Sequence, residues 1–398
     1  MRTIDYFVGV PLCFGLTVVM KLFGLGRPKD RPRKLLFIEL SEMGTAILAD
    51  PAMRKARDQL GAELFFLIFK CNVGSLDFLR TVPADNIFTL REDNLFVLAI
   101  DTLRFLRWAR QRGIDTAIDL ELFSRFTALL SALSGAVYRV GFYRFHNEGL
   151  YRGELLTHRV AYNPHIHIAK NLIAMANALL APAAEIPFSK TVIEDAEAQI
   201  AKAAVTAGEI DDMRARVRSV VSGYRPDHHR LVLLNSNASD LLPQRRWPRE
   251  HFAALAKQIV TEWDDVVILL TGSRDEHEEA EELRTLAAHD RVFNFAGAVK
   301  LRELVALYAI SHLMVTNDSG PGHFSSVTDL RTIVLFGPET PVLYRSLGNS
   351  EAISSGLACS PCVSAANHRK TGCNDPVCMK VLLPARVMQS VRAVLAAR

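Results

Sequence analysis

Two long stretches of this chain alternate short apolar runs with helix-length amphipathic segments. The apolar runs are KLLFIEL, AELFFLIF and DTAIDLEL in the first stretch, and LVLLN, DVVILLTG and LMVTN in the second. An uninterrupted apolar run of strand length is typical of a strand that is buried on both faces. Strands of this kind alternating with helices predict a parallel sheet with helices packed on both sides.

The repeated alternation predicts two domains of the same kind. At 398 residues the chain exceeds what one hydrophobic core usually organises. We predict an α/β protein with a Rossmann-like N-terminal domain over 34–188 and a second Rossmann-like domain over 228–383. A polar segment with few large hydrophobic residues, 189–227, is predicted to be a helical linker, and 384–398 a C-terminal helix. In such sheets ligands bind at the carboxyl ends of the strands, here facing a cleft between the domains.

The first 33 residues form an apolar segment of a different character. An apolar run over 6–20 is followed by Lys21 and then by a basic stretch over 27–34. A spanning helix needs about 20 apolar residues, and Pro11 and Lys21 interrupt that length. We predict a peripheral or monotopic segment at the cytoplasmic face of the inner membrane, with its basic flank on anionic lipid. The alternative is a helix packed on the protein itself or on a partner chain.

The charge distribution excludes one class of partner. The formal net charge is only +4, and no block of like charge is long enough for a nucleic-acid-binding arm. With 49% hydrophobic and 23% charged residues, the composition is that of a globular protein rather than a disordered chain.

A polar turn, TNDSGPGHFSS over 316–326, follows the last apolar run of the second stretch. Ser319, Gly320 and Gly322 leave backbone N–H groups unobstructed, and a helix N-terminus at this point would attract phosphate. Asp318 is placed to accept hydrogen bonds from hydroxyl groups. The alternative is an ordinary connection in which Asp or Ser caps a helix.

Two further polar turns follow strands of the same predicted domain. In NSNASDLLPQRRWPREHF, Arg245 and Arg246 stand just before a helix, where guanidinium groups pair well with phosphate. The alternative is a solvated basic pair. In LLTGSRDEHEE, Ser273 and Glu276 follow the strand, and Glu276 is suited to a pair of ribose hydroxyls. An acidic first turn of a helix is the alternative there.

These segments are similar to the signature segments of a known family. RRWPREHFAALA, LLTGSRDE and TNDSGPGHFSSVTDLRTIVLFGPETP resemble those of glycosyltransferase family 9, which includes the heptosyltransferases of the lipopolysaccharide inner core. DTAIDLELFSRFTALLSALSGAVYRVGF resembles the corresponding N-terminal segment, so the resemblance runs from about residue 34 to the C-terminus. It implies the GT-B fold of two Rossmann-like domains. It also implies metal-independent, inverting transfer from a nucleotide sugar in the C-terminal domain to an acceptor on the N-terminal domain.

The resemblance also assigns roles to residues of the donor site. Ser319, Gly320 and Pro321 would line the diphosphate, with Asp318 on the sugar hydroxyls and His323 supporting the loop. Arg245 would neutralise the departing diphosphate, whose charge no metal meets. The full donor-binding set that we predict is Asn237, Ser239, Arg245, Arg246, Ser273, Glu276, Asp318, Ser319, Gly320, Pro321 and His323.

The first loop, IELSEMGTAILADP, departs from the family pattern. The family places an aspartate, the general base, directly after the glycine, whereas Thr45 follows Gly44 in this chain. A threonine hydroxyl needs another base beside it to act at neutral pH. We therefore predict Glu42, in the loop, as the base, with Glu39, on the strand, as the second candidate.

Four cysteines lie close together near the C-terminus: Cys359, Cys362, Cys373 and Cys378. Their spacing is compatible with a structural zinc site. Two disulfides are a second possibility, although a nucleotide-sugar enzyme works in a reducing compartment. Four reduced thiols are the third, and the spacing does not decide among them. No cofactor and no catalytic metal is predicted.

The sequence thus predicts an inverting, metal-independent glycosyltransferase. Its donor would be an ADP-, GDP- or UDP-linked sugar such as a heptose, and its acceptor a lipopolysaccharide, another lipid-linked glycan or a polysaccharide. Thr45 motivates one alternative, a catalytically impaired binding or scaffold protein in envelope glycan assembly. A nucleotide-sugar epimerase with the GT-B fold is the other.

Overall fold

The computed structural model describes residues 2–23, 31–145, 150–365, 367 and 369–396. The chain divides into two compact units, Met1–Gln199 and Ile200–Arg398. Each unit is built around its own parallel sheet flanked by helices. The predicted α/β class and the predicted pair of Rossmann-like domains are therefore confirmed.

The described residues of the first unit form a six-stranded parallel sheet in the order β3-β2-β1-β4-β5-β6. Its strands are β1 Lys34–Ile38, β2 Glu63–Phe69, β3 Ile87–Leu90, β4 Thr116–Asp119, β5 Tyr138–Phe142 and β6 His158–Val160. The strand order reverses between β1 and β4, and Ile38 is in register with Asp119 there. The loops that follow these two strands consequently begin side by side, at the position where α/β sheets bind ligands.

The helices of the first unit are α1 Arg2–Phe7, α2 Gly9–Leu22, α3 Met43–Leu48, α4 Asp50–Leu60, α5 Leu95–Arg112, α6 Arg125–Leu133 and α7 Ile168–Leu180. Local signals set the bounds of α5: the Asn94 side chain accepts from the Val97 N–H, and Gly113 ends the helix at φ +66°. Helices α3 and α4 are separated at Ala49, because Pro51 suits the first turn of a new helix. Strands β3 and β6 and helix α7 are not among the elements predicted from the sequence.

The second unit repeats this topology within its described residues, with six parallel strands in the order β12-β11-β10-β7-β8-β9. The strands are β7 Arg230–Asn235, β8 Val266–Leu270, β9 Val292–Asn294, β10 Leu313–Asn317, β11 Arg331–Phe336 and β12 Ser350–Ser354. Here the order reverses between β7 and β10. The three predicted polar turns follow β7, β8 and β10, so they gather at one edge of this sheet.

The helices of the second unit are α8 Ala207–Val220, α9 Arg249–Glu262, α10 His277–Ala287, α11 Leu304–Ala309, α12 Gly320–Phe324, α13 Pro341–Tyr344, α14 Val377–Lys380 and α15 Pro384–Leu395. The predicted C-terminal helix, α15, is part of this unit's core, since Val387, Met388 and Val391 are buried with Trp247 and Phe252.

The predicted helical linker over 189–227 is only partly correct. The segment is helical over Ala207–Val220, with a short 3₁₀ turn over Asp195–Ala198, and the units divide between Gln199 and Ile200. The alanine-rich stretch before α8 is not helical because the Ala203 N–H donates to the Val327 carbonyl at 2.8 Å. This tertiary hydrogen bond overrides the local helix propensity.

The N-terminal helices α1 and α2 pack on the first unit with one face. Gly9, Cys13 and Thr17 of α2 are buried, and Cys13 packs with Ala128 and Leu155. The alternative of a helix packed on the protein itself is thus correct for this face. Asp5–Leu22 is also long and apolar enough to cross a membrane, by length and composition alone. Half of the predicted basic flank, residues 27–30, lies outside the described residues.

Candidate functional site

Asn317 joins the end of β10 to the loop that follows β7. Its side-chain oxygen accepts from the Trp247 N–H at 3.0 Å, and its Nδ2 donates to the Ser236 carbonyl at 2.7 Å. Asn317 is fully buried, so both bonds are shielded from water. The sequence analysis did not single out this residue, although an asparagine that ends a buried apolar strand was an available signal.

Arg245 lies against the turn after β10. Its Nη1 donates to the Asp318 carbonyl at 3.2 Å and lies 3.7 Å from the Asp318 carboxylate. The Arg245 Nε and the Asn237 Nδ2 are both buried and have no hydrogen-bond partner in the described part of the chain. Buried donors are normally satisfied, and donors like these are expected where a ligand supplies the acceptors. The structure thus brings the predicted residues Asn237, Arg245 and Asp318 to one sheet edge.

The turn itself is compact. The Ser319 hydroxyl donates back to the Asn317 carbonyl at 3.2 Å, and the Gly322 N–H donates to the Ser319 carbonyl at 3.1 Å. A Cβ at Gly320 would lie 3.0 Å from the Phe324 ring, so the ring packs where any other residue would place a side chain. Pro321 lies in the first turn of α12.

Arg246 and His323 make contacts that hold their own loops together. The Arg246 guanidinium donates to the Ala238 carbonyl at 2.7 Å and to the Asp240 carboxylate at 2.5 Å. The His323 carbonyl accepts from the Ser326 hydroxyl at 2.5 Å. The bond at His323 is made by its backbone, so the supporting role of its side chain stays a prediction, whereas the Arg246 side chain bonds within its own loop.

Ser273 and Glu276 cap a helix. The Glu276 carboxylate accepts from the Ser273 N–H at 2.6 Å, and the Ser273 side chain accepts in return from the Glu276 N–H. This is a capping box, and it puts Glu276 in an acidic first helical turn, which was the alternative given for this segment. Ser239 is exposed, and its hydroxyl accepts from the Leu241 N–H at 3.2 Å. The contacts of all three residues are local.

Three glutamates lie together at the corresponding edge of the first sheet: Glu39, Glu42 and Glu121. Glu121 Oε1 accepts from the N–H groups of Leu40 and Ser41, each at 3.0 Å, and from the Ser41 hydroxyl at 2.8 Å. Glu39 Oε1 accepts from the Glu42 N–H at 3.1 Å. The sequence analysis missed Glu121, although its place just beyond β4, beside the loop after β1, was the available signal.

The electrostatics of this group separate the two predicted bases. Burial raises the pKa of Glu39 well above its usual range, and repulsion from Glu121 and Glu42 raises it further. Burial also raises the pKa of Glu121, although the hydrogen bond from Ser41 opposes this shift. Glu39 therefore keeps its proton at pH values where an ordinary carboxyl is ionised. Glu42 stays the preferred base in our prediction, because its carboxylate contacts the Thr45 hydroxyl, whereas Glu39 is buried.

Glu42 is the residue beside the unusual threonine. The Thr45 hydroxyl donates to Glu42 Oε2 at 2.9 Å, and Glu42 occupies the N-cap position of α3. A hydroxyl at the position where the family pattern has its aspartate thus has a carboxylate in direct contact. The buried Asp119 and Arg152 form an ion pair nearby, and Asp119 accepts from the Glu121 N–H at 3.2 Å.

The four C-terminal cysteines lie in one segment of the second unit. Burial raises the pKa of the Cys378 thiol, and Cys362, Cys373 and Cys359 add to the shift. All six cysteines of the chain are free thiols in this structure. Among the described residues no three His, Cys, Asp or Glu side chains are grouped to hold a metal ion. Zinc binding at these four thiols stays a prediction.

Comparison with known proteins identifies the family. The family model for glycosyltransferase family 9 (heptosyltransferase) matches residues 102–371, more than half of the chain. Lipopolysaccharide heptosyltransferase 2 of Salmonella typhimurium is 38% identical over 102 residues, which are 25% of this chain and 29% of that protein. Lipopolysaccharide heptosyltransferase 1 of Pseudomonas aeruginosa is 27% identical over 165 residues, 38% of this chain and 45% of that protein. The matched region thus spans less than half the length of either relative.

Solved structures share the fold over nearly the whole chain. Escherichia coli ADP-heptose LPS heptosyltransferase II superposes with a TM-score of 0.66 at 21% identity, over 91% of this chain and 98% of that one. A family 9 glycosyl transferase from Veillonella parvula superposes with a TM-score of 0.67 at 16% identity, over 94% and 100%. These likenesses confirm the predicted GT-B fold. With the family model matching most of its length, this chain belongs to glycosyltransferase family 9.

Proposed function

We propose that this chain transfers a heptose from ADP-heptose to a lipopolysaccharide acceptor. The names of its relatives, lipopolysaccharide heptosyltransferases 1 and 2, support the sugar and the acceptor. The name of the E. coli structural neighbour supports ADP as the nucleotide. The observation that carries the proposal is the contact of Arg245 with Asp318, beside buried donors on Arg245 and Asn237 that lack partners in the described chain.

We propose a single displacement for the chemistry. Glu42 takes the proton from the acceptor hydroxyl, and the hydroxyl oxygen forms a bond to the anomeric carbon as the bond to the diphosphate breaks. ADP leaves with the bonding electrons, and the configuration of the sugar inverts. Arg245 and the Gly320 N–H, at the start of α12, stabilise the charge that develops on the diphosphate. Arg245 then supplies the positive charge that a metal ion would otherwise supply.

Ser319, Gly320 and Pro321 line the diphosphate in this proposal, and the Asp318 carboxylate receives the sugar hydroxyls when Arg245 turns to the phosphates. The reaction is placed at the cytoplasmic face of the inner membrane, where nucleotide sugars and reduced thiols occur together.

The test is transfer by the purified full chain. The protein is incubated with ADP-heptose and lipopolysaccharide truncated before its inner-core heptoses, and both ADP release and the mass of the acceptor are followed. We expect one heptose to be added per acceptor for each ADP released, with no transfer from GDP- or UDP-linked sugars. ADP-heptose that binds without turnover would contradict the proposal and favour a binding protein. Altered free sugar formed without an acceptor would favour an epimerase.

A pair of variants tests the role of Arg245, on whose contact with Asp318 the proposal rests. Arg245→Gln is expected to lower kcat by about 100-fold, because removing one preorganised donor to a developing charge has an effect of that order. Arg249→Gln is the matched control, since Arg249 lies on the surface of α9 and pairs with Glu282. Equal activity of the two variants would remove Arg245 from the mechanism.

A further inference from the structure

Helix α2 has one face that is fitted closely to the first unit. Gly9, Cys13 and Thr17 follow one another at every fourth position, so they lie on one face of the helix and are buried. A Cβ on Gly9 would lie 2.8 Å from the Arg125 side chain, which leaves room for glycine alone. The Thr17 hydroxyl accepts from the Glu154 N–H at 2.9 Å. Through this face, helix α2 therefore packs on the first unit of the same chain by specific contacts.

Asp5 ties the start of the same segment to α6. Its carboxylate accepts from the N–H groups of Arg125 and Phe126 at 3.1 and 3.0 Å, and from the Arg125 guanidinium at 2.9 Å. The first N–H groups of a helix have no partner within the helix, so Asp5 satisfies donors that α6 cannot satisfy itself. Moving α1 and α2 across a bilayer would break all of these contacts.

The opposite face of this segment is apolar and exposed. Its exposed large side chains are Tyr6, Phe7, Val8, Leu12, Phe14, Val18, Val19, Leu22 and Phe23. Phe7, Phe14 and Leu22 keep 70%, 62% and 76% of their surface accessible. Soluble monomers rarely expose an apolar patch of this extent, and such patches mark membrane or protein contacts.

Basic residues accompany this apolar face. Lys21 lies in the last turn of α2, and Arg31 and Arg33 are exposed where the described chain resumes. Helix α5, which packs on α6 as α2 does, carries exposed apolar residues at Phe96 and Leu103. Its polar positions include Arg104, Arg107, Arg110 and Arg112, whereas its one acidic residue, Asp101, is paired with Arg91 and Arg104. This combination of exposed apolar side chains with cations matches an anionic lipid surface.

We propose that α2 lies flat in the interface of an anionic bilayer, with its exposed face inserted among the lipids and its small-residue face on the first unit. The chain is then monotopic, and α2 does not span the membrane. The proposal goes beyond the sugar-transfer function and does not depend on it. It does suit a lipid-linked acceptor, because a series of contacts connects α2 to the carboxylates of the first unit. Helix α2 packs on Gly153, and the neighbouring Arg152 pairs with Asp119, which lies two residues before Glu121.

Vesicle flotation of the full chain tests the binding. We expect binding to vesicles of phosphatidylethanolamine and phosphatidylglycerol that weakens with salt, and much weaker binding to phosphatidylcholine alone. The double variant Phe14→Gln/Val18→Gln should bind at least about tenfold less, since two inserted apolar side chains are lost. Leu241→Gln and Val192→Gln, at exposed apolar positions elsewhere, are the matched controls and should bind as the wild type does. Undiminished binding of the double variant would overturn the proposal.

Two measurements separate the flat arrangement from its competitors. In Phe14→Trp and Leu22→Trp, fluorescence should be quenched more by lipids brominated near the headgroup than by lipids brominated at the chain ends. Strong deep quenching at position 14 would show a spanning helix and overturn the flat orientation. Sedimentation without lipid should show a monomer. A dimer that the double variant disperses would assign this face to a second copy of the chain and overturn the membrane proposal.

Discussion

At the level of single residues, the contact between Glu42 and Thr45 decides how the loop that follows β1 is interpreted. The chain lacks the aspartate that the family pattern places after the glycine, and this loss alone would suggest an inactive protein. The Thr45 hydroxyl, however, lies 2.9 Å from the Glu42 carboxylate. A carboxylate is therefore present next to the position of the missing one, displaced by three residues along the chain.

We predict that Glu42→Gln lowers kcat by about 100-fold or more, because a positioned general base contributes at least that factor. Binding of ADP-heptose, measured by calorimetry, should be unchanged, since Glu42 belongs to the first unit and the donor residues to the second. Glu63→Gln provides the control, as Glu63 is a half-exposed carboxylate at the start of β2. Full activity in the Glu42 variant would mean that another group accepts the proton.

A second residue-scale prediction concerns the pH dependence of stability. The folded-state pKa of Glu39 is raised above its unfolded value, so the native state binds this proton more tightly than the unfolded state does. The free energy of unfolding must then fall as the pH rises from the unfolded pKa toward the folded one. In Glu39→Gln the free energy of unfolding no longer falls with pH for this reason, because an amide does not titrate. The amide oxygen still accepts from the Glu42 N–H.

We expect Glu39→Gln to raise the free energy of unfolding at pH 8 by an amount on the order of 1 kcal/mol, and the gain to shrink toward pH 5. Urea denaturation at several pH values measures it, with Glu63→Gln as the exposed comparison. A variant that is destabilised equally at every pH would show that the Glu39 carboxyl is not held in its protonated form.

Among the secondary-structure elements, strand β10 organises the proposed donor site through Asn317. The loop between β7 and α9 has three buried hydrophobic residues, Ala238, Leu242 and Trp247. One buried amide fixes it by bonding to the backbone at both of its ends. Arg245 and Asn237 lie within this loop, so their positions depend on a residue that is not itself a ligand candidate.

We predict that Asn317→Ala lowers the free energy of unfolding by about 2 kcal/mol, because it leaves buried backbone groups without partners. It should also weaken ADP binding, since the loop that carries Arg245 loses its anchor. Asn294→Ala, an asparagine at the end of β9 in a more accessible position, should have a smaller effect on both quantities. Weakened stability with unchanged ADP affinity would show that the loop is positioned by other contacts.

At the scale of the whole molecule, the chain is two copies of one topology with different polar edges. The first unit presents carboxylates after β1 and β4, whereas the second presents Arg245 and the glycine-containing turn after β7 and β10. Proton removal calls for the first kind of chemistry and stabilisation of a leaving diphosphate for the second. The two units therefore have different roles in the proposed reaction, because their polar edges differ in charge.

Because the proposed reaction relies on Arg245 and helix N–H groups, we expect transfer to be insensitive to chelation. Treatment with EDTA followed by desalting should leave the initial rate within about twofold, an effect far smaller than the loss of a catalytic cation. Elemental analysis of the same sample measures any zinc bound at the C-terminal cysteines. An activity that disappears with EDTA and returns with a divalent cation would contradict the metal-independent mechanism.

The fold class, the two-domain organisation and the gathering of the second domain's polar turns at one sheet edge were predictable from the sequence alone. These features follow from local patterns, namely apolar runs of strand length, helical periodicity and polar turns, which report on burial without requiring distant contacts. The bounds of α5, set by Asn94 and Gly113, were predictable for the same reason. The linker was not, because a hydrogen bond from Ala203 to distant Val327 overrides its local propensity.

The folded structure was needed to tell which candidate side chains have partners elsewhere in the fold. The tertiary structure places Glu121 beside Glu39 and Glu42, because strand pairing joins segments that are 80 residues apart in sequence. It showed Arg246, Ser273 and Glu276 in local bonds, and it divided α2 into a packed face and an exposed face. Periodicity reveals that a residue is apolar, but which apolar face meets the protein depends on the surface that folding brings to it.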